Sequence, residues 1–249
     1  VAESGPRIKA DLHVHTIASG HGFSTVREIC AEAANRGMEM IGVTDHGPAM
    51  PGGPHIYNFT NLVVMPRMLS GVKVLRSAEC NIIDTDGGLD LNERVLGILD
   101  IVHAGMHPLT GYPGDSVEEN TRALVGAIES GKVDVLVHPG NPLFPFDHRT
   151  VAEAAASNNV LLEINNSSFT VVRKGSIDNC RLIIKEAMKA GAGITVGTDA
   201  HDASLVGVFD KALELVDEVG FPAERIVNRD SESVMRFLIQ RGRKDILFS

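Results

Sequence analysis

The chain has 249 residues, 43% of them hydrophobic, and a formal net charge of −9 at neutral pH. That length suits one α/β barrel, and the apolar share is enough for a sizeable core. The acidic balance disfavours a nucleic-acid or anionic-membrane surface, which needs clustered Lys and Arg, although bound divalent cations would make one pocket locally positive.

In chain order, the first β-rich run, KADLHV, leads into DLHVHTIASGH, which holds three of the ten histidines in eleven residues. Alternation along a strand puts His13 and His15 on one face and Leu12 and Val14 on the other, with His21 following in the loop. STVREICAEAANRG reads as a helix capped by Ser24, and EMIGVTD as a strand ending at Asp45 and His46. Pro48 to Asn61, rich in Gly and Pro, reads as a long loop that shapes an entrance and carries His55. KVLRSAE is a third strand ending at Glu79, and GILDIVHAG a fourth that contains His103 and runs towards His107. After the Ser116-capped helix SVEENTRALVGAIESGK comes a fifth strand, VDVLVHP, with His138 at its end. The helix HRTVAEAAASNN precedes a sixth strand, VLLEIN, which brings Glu163, Asn165 and Asn166 and is followed by Arg173 and Lys174. A helix capped by Ser176, SIDNCRLIIKEAMKAG, leads to the seventh strand, GITVGTD, ending at Asp199 and His201. From Val206 to Arg241 the pattern is purely helical.

Strand–helix alternation of this kind argues for a mainly parallel sheet covered by helices, without linkers or repeats, in a single domain over residues 1–249. Seven strands fit a distorted or seven-stranded βα barrel, and equally an open doubly wound sheet; periodicity does not separate the two. In either fold the carboxyl ends of the strands share one face, where active sites form. Scattered surface residues would not respect strand ends, yet six of the seven strands end at or run towards His, Asp or Glu side chains. The candidate ligands are His13, His15, His21, His46, Glu79, His107, His138, Asp199 and His201. Nine are too many for one tetrahedral ion and suit two or three. Imidazole and carboxylate without thiolate favour Zn²⁺, with Mn²⁺ or Fe²⁺ as alternatives. Cys30, Cys80 and Cys180, widely spaced and lacking a CxxC pair, read as packing residues rather than as a disulfide scaffold or zinc finger. No apolar run reaches the ~20 residues of a membrane span, and VAESGPRIKA lacks a secretory core, so a cytoplasmic setting is the expectation.

DLHVHT, GVTDHG, the isolated Glu79, GMHP, VHPGNP and GTDAH together resemble the motif series of the PHP (polymerase and histidinol phosphatase) superfamily. VHPGNP, LEINNSSF and RKGSIDNC are similar to its YcdX-type phosphatase branch. The resemblance runs over nearly the whole chain from Asp11 and implies a distorted (β/α)7 barrel with a trinuclear zinc centre and phosphatase activity. It also implies a ligand assignment: His13 and His15 with Glu79 and Asp199 around one ion, His21, His46 and His201 around a second, and Glu79 as a bridge to a third with His107 and His138. His103 departs from the branch, which has an apolar residue there, and reads as a hydrogen-bonded strand histidine.

Metal binding lowers the pKa of water from about 15.7 to about 7, and paired cations clamp the attacking and leaving oxygens of an in-line displacement. The expected reaction is therefore hydrolysis of small phosphate monoesters by a metal-activated hydroxide, with Glu79 and Asp199 acting as ligands. Asp45 either orients His46 or is an ordinary turn residue. His55 is a candidate proton donor or substrate contact, Arg173 and Lys174 are candidate phosphate contacts, and Asn141, Asn165 and Asn166 either touch substrate or fix loops. The rivals are a nuclease or phosphodiesterase, which should show a basic groove; an amide hydrolase, which usually adds a metal-bridging lysine; and a non-catalytic zinc-binding protein. The partner expected is a small phosphorylated molecule; an oligomer is open, and the physiological substrate is not encoded in any readable motif.

Overall fold

Seven parallel strands form the wall of a barrel: β1 (Ala10–Val14), β2 (Met40–Val43), β4 (Val72–Asn81), β5 (Ile101–Gly105), β6 (Val135–Leu136), β7 (Leu161–Asn165) and β8 (Ile194–Gly197), hydrogen-bonded in that order. A two-residue strand, β3 (Met68–Leu69), adds an antiparallel flap on β4. The computed structural model describes residues 8–170, 173–243, 246 and 248. The helices are α1 (Val26–Asn35), α2 (Ile56–Thr60), α3 (Glu93–Leu96), α4 (Val117–Glu129), α5 (His148–Ser157), α6 (Ser176–Ala190), α7 (Asp210–Val219) and α8 (Ser231–Gln240). Of the two architectures left open by periodicity, the barrel is the one formed. Among the described residues no helix is long and apolar enough to cross a membrane.

The seam between β1 and β8 is nearly closed. His15 N–H donates to Ala200 O at 2.8 Å and Asp199 N–H to His13 O at 2.9 Å. Lower down, the buried Asn228 side chain takes the place of a missing peptide: its Nδ2 donates to Ala10 O and Val196 O, and its Oδ1 accepts from Val196 N–H. Backbone groups at an open sheet edge are costly to bury unpaired, and one amide satisfies three of them.

Inside the barrel, Ala10, Leu12, Met40, Leu75, Ile101, Val135 and Leu161 pack together, and α8 closes the floor with Val234, Phe237 and Leu238. Outward-facing residues such as Ile41, Val74, Val102, Leu162 and Ile194 join the larger core under the helices. Apolar side chains therefore fill the lower barrel, and polar ones occupy the mouth above them.

Strict alternation fails in β1. The register runs Asp11 with Ile41 and then Val14 with Val43, so Leu12 and His13 together oppose Gly42. This bulge turns Leu12 into the inner core while His13 also faces inward, instead of placing them on opposite faces. Gly42 permits it, because a Cβ there would meet Leu12 O at 2.7 Å.

Two caps move by one residue. Thr25, not Ser24, caps α1, and Glu28 completes a capping box, while Ser24 Oγ accepts from Ala203 N–H. Left-handed Gly175 stands at the N-cap of α6, so Ser176 is its first helical residue, with Oγ donating to Arg173 O. Ser116 caps α4 as expected. The segment expected as a loop from Pro48 to Asn61 contains α2, followed by a 3₁₀ turn at Asn61–Val64. The C-terminal part is not helical throughout either: Ile226 pairs with Ile194 between α7 and α8. All three cysteines are buried free thiols.

Candidate metal centre

The carboxyl ends of the strands bring the nine candidate ligands to one mouth. Glu79, at the centre, is fully buried. Its Oε1 lies 2.7 Å from His138 Nε2 and 2.9 Å from His107 Nε2. Its Oε2 lies 3.0 Å from His46 Nδ1, 3.1 Å from His15 Nε2 and 3.3 Å from His13 Nε2. Asp199 Oδ1 is 3.1 Å from His15 Nε2 and 3.6 Å from His13 Nε2. His201 stacks 4.2 Å from His15, and His21, exposed at the rim, lies 4.7 Å from His201 and 5.1 Å from His46 between ring centroids. Three subsets have ligand atoms within 4.8 Å of one another: His15, His46 and His201; His13, His15 and Asp199; and His46, Glu79 and His107.

The hydrogen bonds on the far side of the rings decide what faces inward. His13 Nδ1 donates to Glu163 Oε1 at 2.7 Å. His15 Nδ1 donates to Ser19 Oγ at 2.9 Å, and Ser19 in turn donates to Asp45 Oδ1 at 2.7 Å. His201 Nδ1 faces the Asp199 carbonyl at 2.9 Å. With Nδ1 protonated, each ring presents an Nε2 lone pair. His13 Nε2 and His15 Nε2 then face each other at 3.1 Å with carboxylate oxygens beside them. Glu79 Oε2 and His46 Nδ1 are both buried without a hydrogen bond among the described residues. Converging lone pairs and carboxylates repel unless a cation or a proton sits between them, so the donor set fits divalent metal ions.

Charge behaviour points the same way. Burial alone would raise the Glu79 carboxyl, but the imidazoles of His46, His13 and His107 hold it well below the usual range. Asp199 is likewise held well below it against burial, by Arg173 and His13. Burial works against a charged His15, yet Asp199 and Glu79 raise it to about 9. Burial drives His46 down to about 3 and His138 and His201 to about 4. The pocket thus demands positive charge while keeping several imidazoles neutral.

Backbone strain collects here too. Of five non-glycine residues with positive φ among the described residues, two are His138 (32°) and Asp199 (56°). Such conformations cost of order 1–3 kcal/mol and persist where surrounding structure holds them.

The other singled-out residues separate. Asp45 accepts from Thr16 N–H and Ser19 Oγ at Oδ1 and from Thr16 Oγ1 at Oδ2, so it reaches His15 through Ser19 rather than acting on His46's ring. Ser19 Oγ also accepts from His46 N–H at 3.3 Å. Arg173 enters the site, donating from Nη1 to Asp199 Oδ2 at 2.9 Å, whereas neighbouring Lys174 is exposed. His55 is exposed and caps α2 through Nδ1. Asn165 is fully buried, with Oδ1 accepting from Ser168 N–H and Nδ2 donating to Glu163. Asn166 accepts from Ala212 N–H, and Asn141 from Leu143 N–H. His103 is a buried strand histidine with Nδ1 3.0 Å from Ser77 Oγ. Glu163 and Ser19, each hydrogen-bonded to a candidate ligand, have no role assigned in the sequence reading, although Glu163 is noted there at the end of its strand.

The PHP domain signature matches residues 11–172, a span that takes in the candidate ligands from His13 to His138. A probable phosphatase of Caldanaerobacter subterraneus subsp. tengcongensis is 45% identical over 96% of this chain and 94% of its own length. A probable phosphatase of Shewanella loihica is 47% identical over 94% of each. Among solved structures, the histidinol phosphate phosphatase of Lactococcus lactis, complexed with zinc, L-histidinol and phosphate, aligns over 86% of this chain and 94% of its own. Its TM-score is 0.57 at 18% identity, a likeness of fold. With a seven-stranded parallel barrel, a mouth ringed by histidines and relatives this similar along nearly its full length, the chain belongs to the PHP domain family.

Proposed function

We propose that this chain is a metal-dependent phosphatase that hydrolyses small phosphate monoesters at a centre of three divalent ions, most readily Zn²⁺. The observation that carries the reading is the convergence of five histidine nitrogens within 3.3 Å of the fully buried Glu79 carboxylate. Relatives named probable phosphatases at 45–47% identity support the ester specificity.

His13 and His15 with Asp199 would hold one ion, His21, His46 and His201 a second, and His107 and His138 a third, with Glu79 shared between the first and third. When bound, such ions supply an activated water and neutralise charge developing on phosphorus. The chain's own groups do the rest. Arg173, tethered to Asp199, offers a guanidinium suited to bidentate contact with a phosphoryl group. Asp45 and Ser19 keep His15 in the tautomer that presents Nε2. Glu79 and Asp199 contribute as charged ligands, and Asp45 acts through its neighbours rather than on substrate. The intended reactant is a small molecule, because a net charge of −9 disfavours binding to a polynucleotide.

Metal content measured after purification, followed by phosphate release from a panel of monoesters, tests the proposal. Three ions per chain and turnover of monoesters are expected. Bound metal with no turnover of any monoester, or turnover of oligonucleotides alone, overturns it.

A further inference from the structure

Glu163, on β7, is 1% exposed and sits among the metal-facing side chains without being one of the proposed ligands. Its Oε1 accepts from His13 Nδ1 at 2.7 Å. Its Oε2 accepts from the backbone N–H of His138 at 2.8 Å and from Asn165 Nδ2 at 3.1 Å. His13 belongs to β1, which is separated from β7 by β8. The carboxylate crosses that gap because β8 carries Gly197 at the crossing point. A Cβ on Gly197 would lie 1.9 Å from Glu163 Oε1 and 3.2 Å from His13 Cβ. At its other oxygen, Glu163 holds the N–H of a residue kept at a φ of 32°.

We propose that Glu163 is a positioning residue that couples two of the three metal positions, a role that rests on the three-ion reading above. One oxygen fixes the ring and tautomer of His13, leaving its Nε2 lone pair aimed at His15, Glu79 and Asp199. The other pins the backbone of His138, whose Nε2 faces Glu79 and His107. The group of His21, His46 and His201 receives no bond from Glu163 among the described residues. Loss of Glu163 therefore weakens the positions built on His13 and on His138 together and spares the third.

The test uses the full chain, stripped of metal, with zinc titrated in against a chromophoric chelator, for wild type, Glu163→Gln and Gly197→Ala. Histidine ¹⁵N–¹H NMR of the zinc-loaded proteins reads which His13 nitrogen carries the proton, and circular dichroism checks folding. Three zinc affinities are expected in the wild type. Glu163→Gln should weaken two of them by about 10- to 100-fold and leave the third unchanged. The Nδ1–H resonance of His13 should shift or vanish in the same variant. Gly197→Ala keeps every ligand and Glu163 itself but blocks the crossing, so it should reproduce both effects; it also serves if Glu163→Gln does not fold. Equal weakening of all three positions, weakening of one alone, unchanged affinities, or a zinc-loaded wild-type His13 protonated on Nε2 would overturn the coupling while leaving the metal reading intact. A wild-type chain that binds no zinc overturns the metal reading and this proposal with it.

Discussion

Replacing Glu79 with Gln preserves the side chain's shape and removes its charge, so it isolates the electrostatic contribution of the central carboxylate. Its oxygens lie 2.7 to 3.3 Å from ring nitrogens of His13, His15, His46, His107 and His138 in a fully buried setting. At ~3 Å and an effective dielectric of ~20, one pair of unit charges interacts by about 5 kcal/mol. The remaining amide oxygen still offers a lone pair, and desolvation of the lost charge is recovered, so about half that figure should survive as a net effect. A loss of about 2–3 kcal/mol is roughly 30- to 150-fold in metal affinity. Chelator competition on the purified variant reads the affinity, and phosphate release at saturating zinc reads the remaining rate. Glu79→Gln with three ions bound at wild-type affinity and an unchanged rate would refute the assignment of Glu79 as the shared ligand.

Ser19→Ala should leave the His15 Nδ1–H without its acceptor and lower zinc affinity by about 10- to 100-fold, with the pH profile of turnover unmoved; a shifted profile would instead point to proton transfer through Asp45. Arg173→Met should raise KM for monoesters by about tenfold or more while the zinc count stays the same, checked by steady-state kinetics beside metal analysis. Metal-free and metal-loaded protein should respond to pH in opposite directions. In the metal-free chain His15 titrates at about 9 against about 6.5 when unfolded, so its stabilisation is complete below 6.5 and fades as pH rises through 9, by up to about 3 kcal/mol. Metal binding requires deprotonated imidazoles, so the loaded protein should gain stability over the same window, and parallel melting curves in the two states would contradict this. Asn228→Ala should cost about 3 kcal/mol of stability by stranding the Ala10 and Val196 backbone groups at the barrel seam, measured by urea unfolding.

The clustering of the candidate ligands was legible in the sequence because the fold turns strand ends into neighbours: His13, Glu79, His138 and Asp199, far apart along the chain, meet once parallel strands are laid side by side. Local departures were not legible. The bulge that turns Leu12 and His13 inward together depends on Gly42 in the next strand, and no period-2 pattern within KADLHV records it. Ser24 and Thr25 are both competent caps, and the reciprocal bond with Glu28 selects Thr25. Arg173 and Lys174 are chemically alike in the sequence, and only the turn before α6 directs one inward and the other to solvent. Glu163 was visible at the end of the sixth strand, but its role was not, because the backbone of His138 and the ring of His13 that it holds lie 25 and 150 residues away. A signal did exist: it shares the inward face of β7 with Leu161, and the strand it must cross carries Gly197.

Anomalous scattering at the zinc edge from a zinc-loaded crystal tests the central claim most directly. Three peaks should appear within the ring formed by His13, His15, His21, His46, Glu79, His107, His138, Asp199 and His201. A mouth without peaks, or zinc held only at surface histidines such as His55, would contradict it.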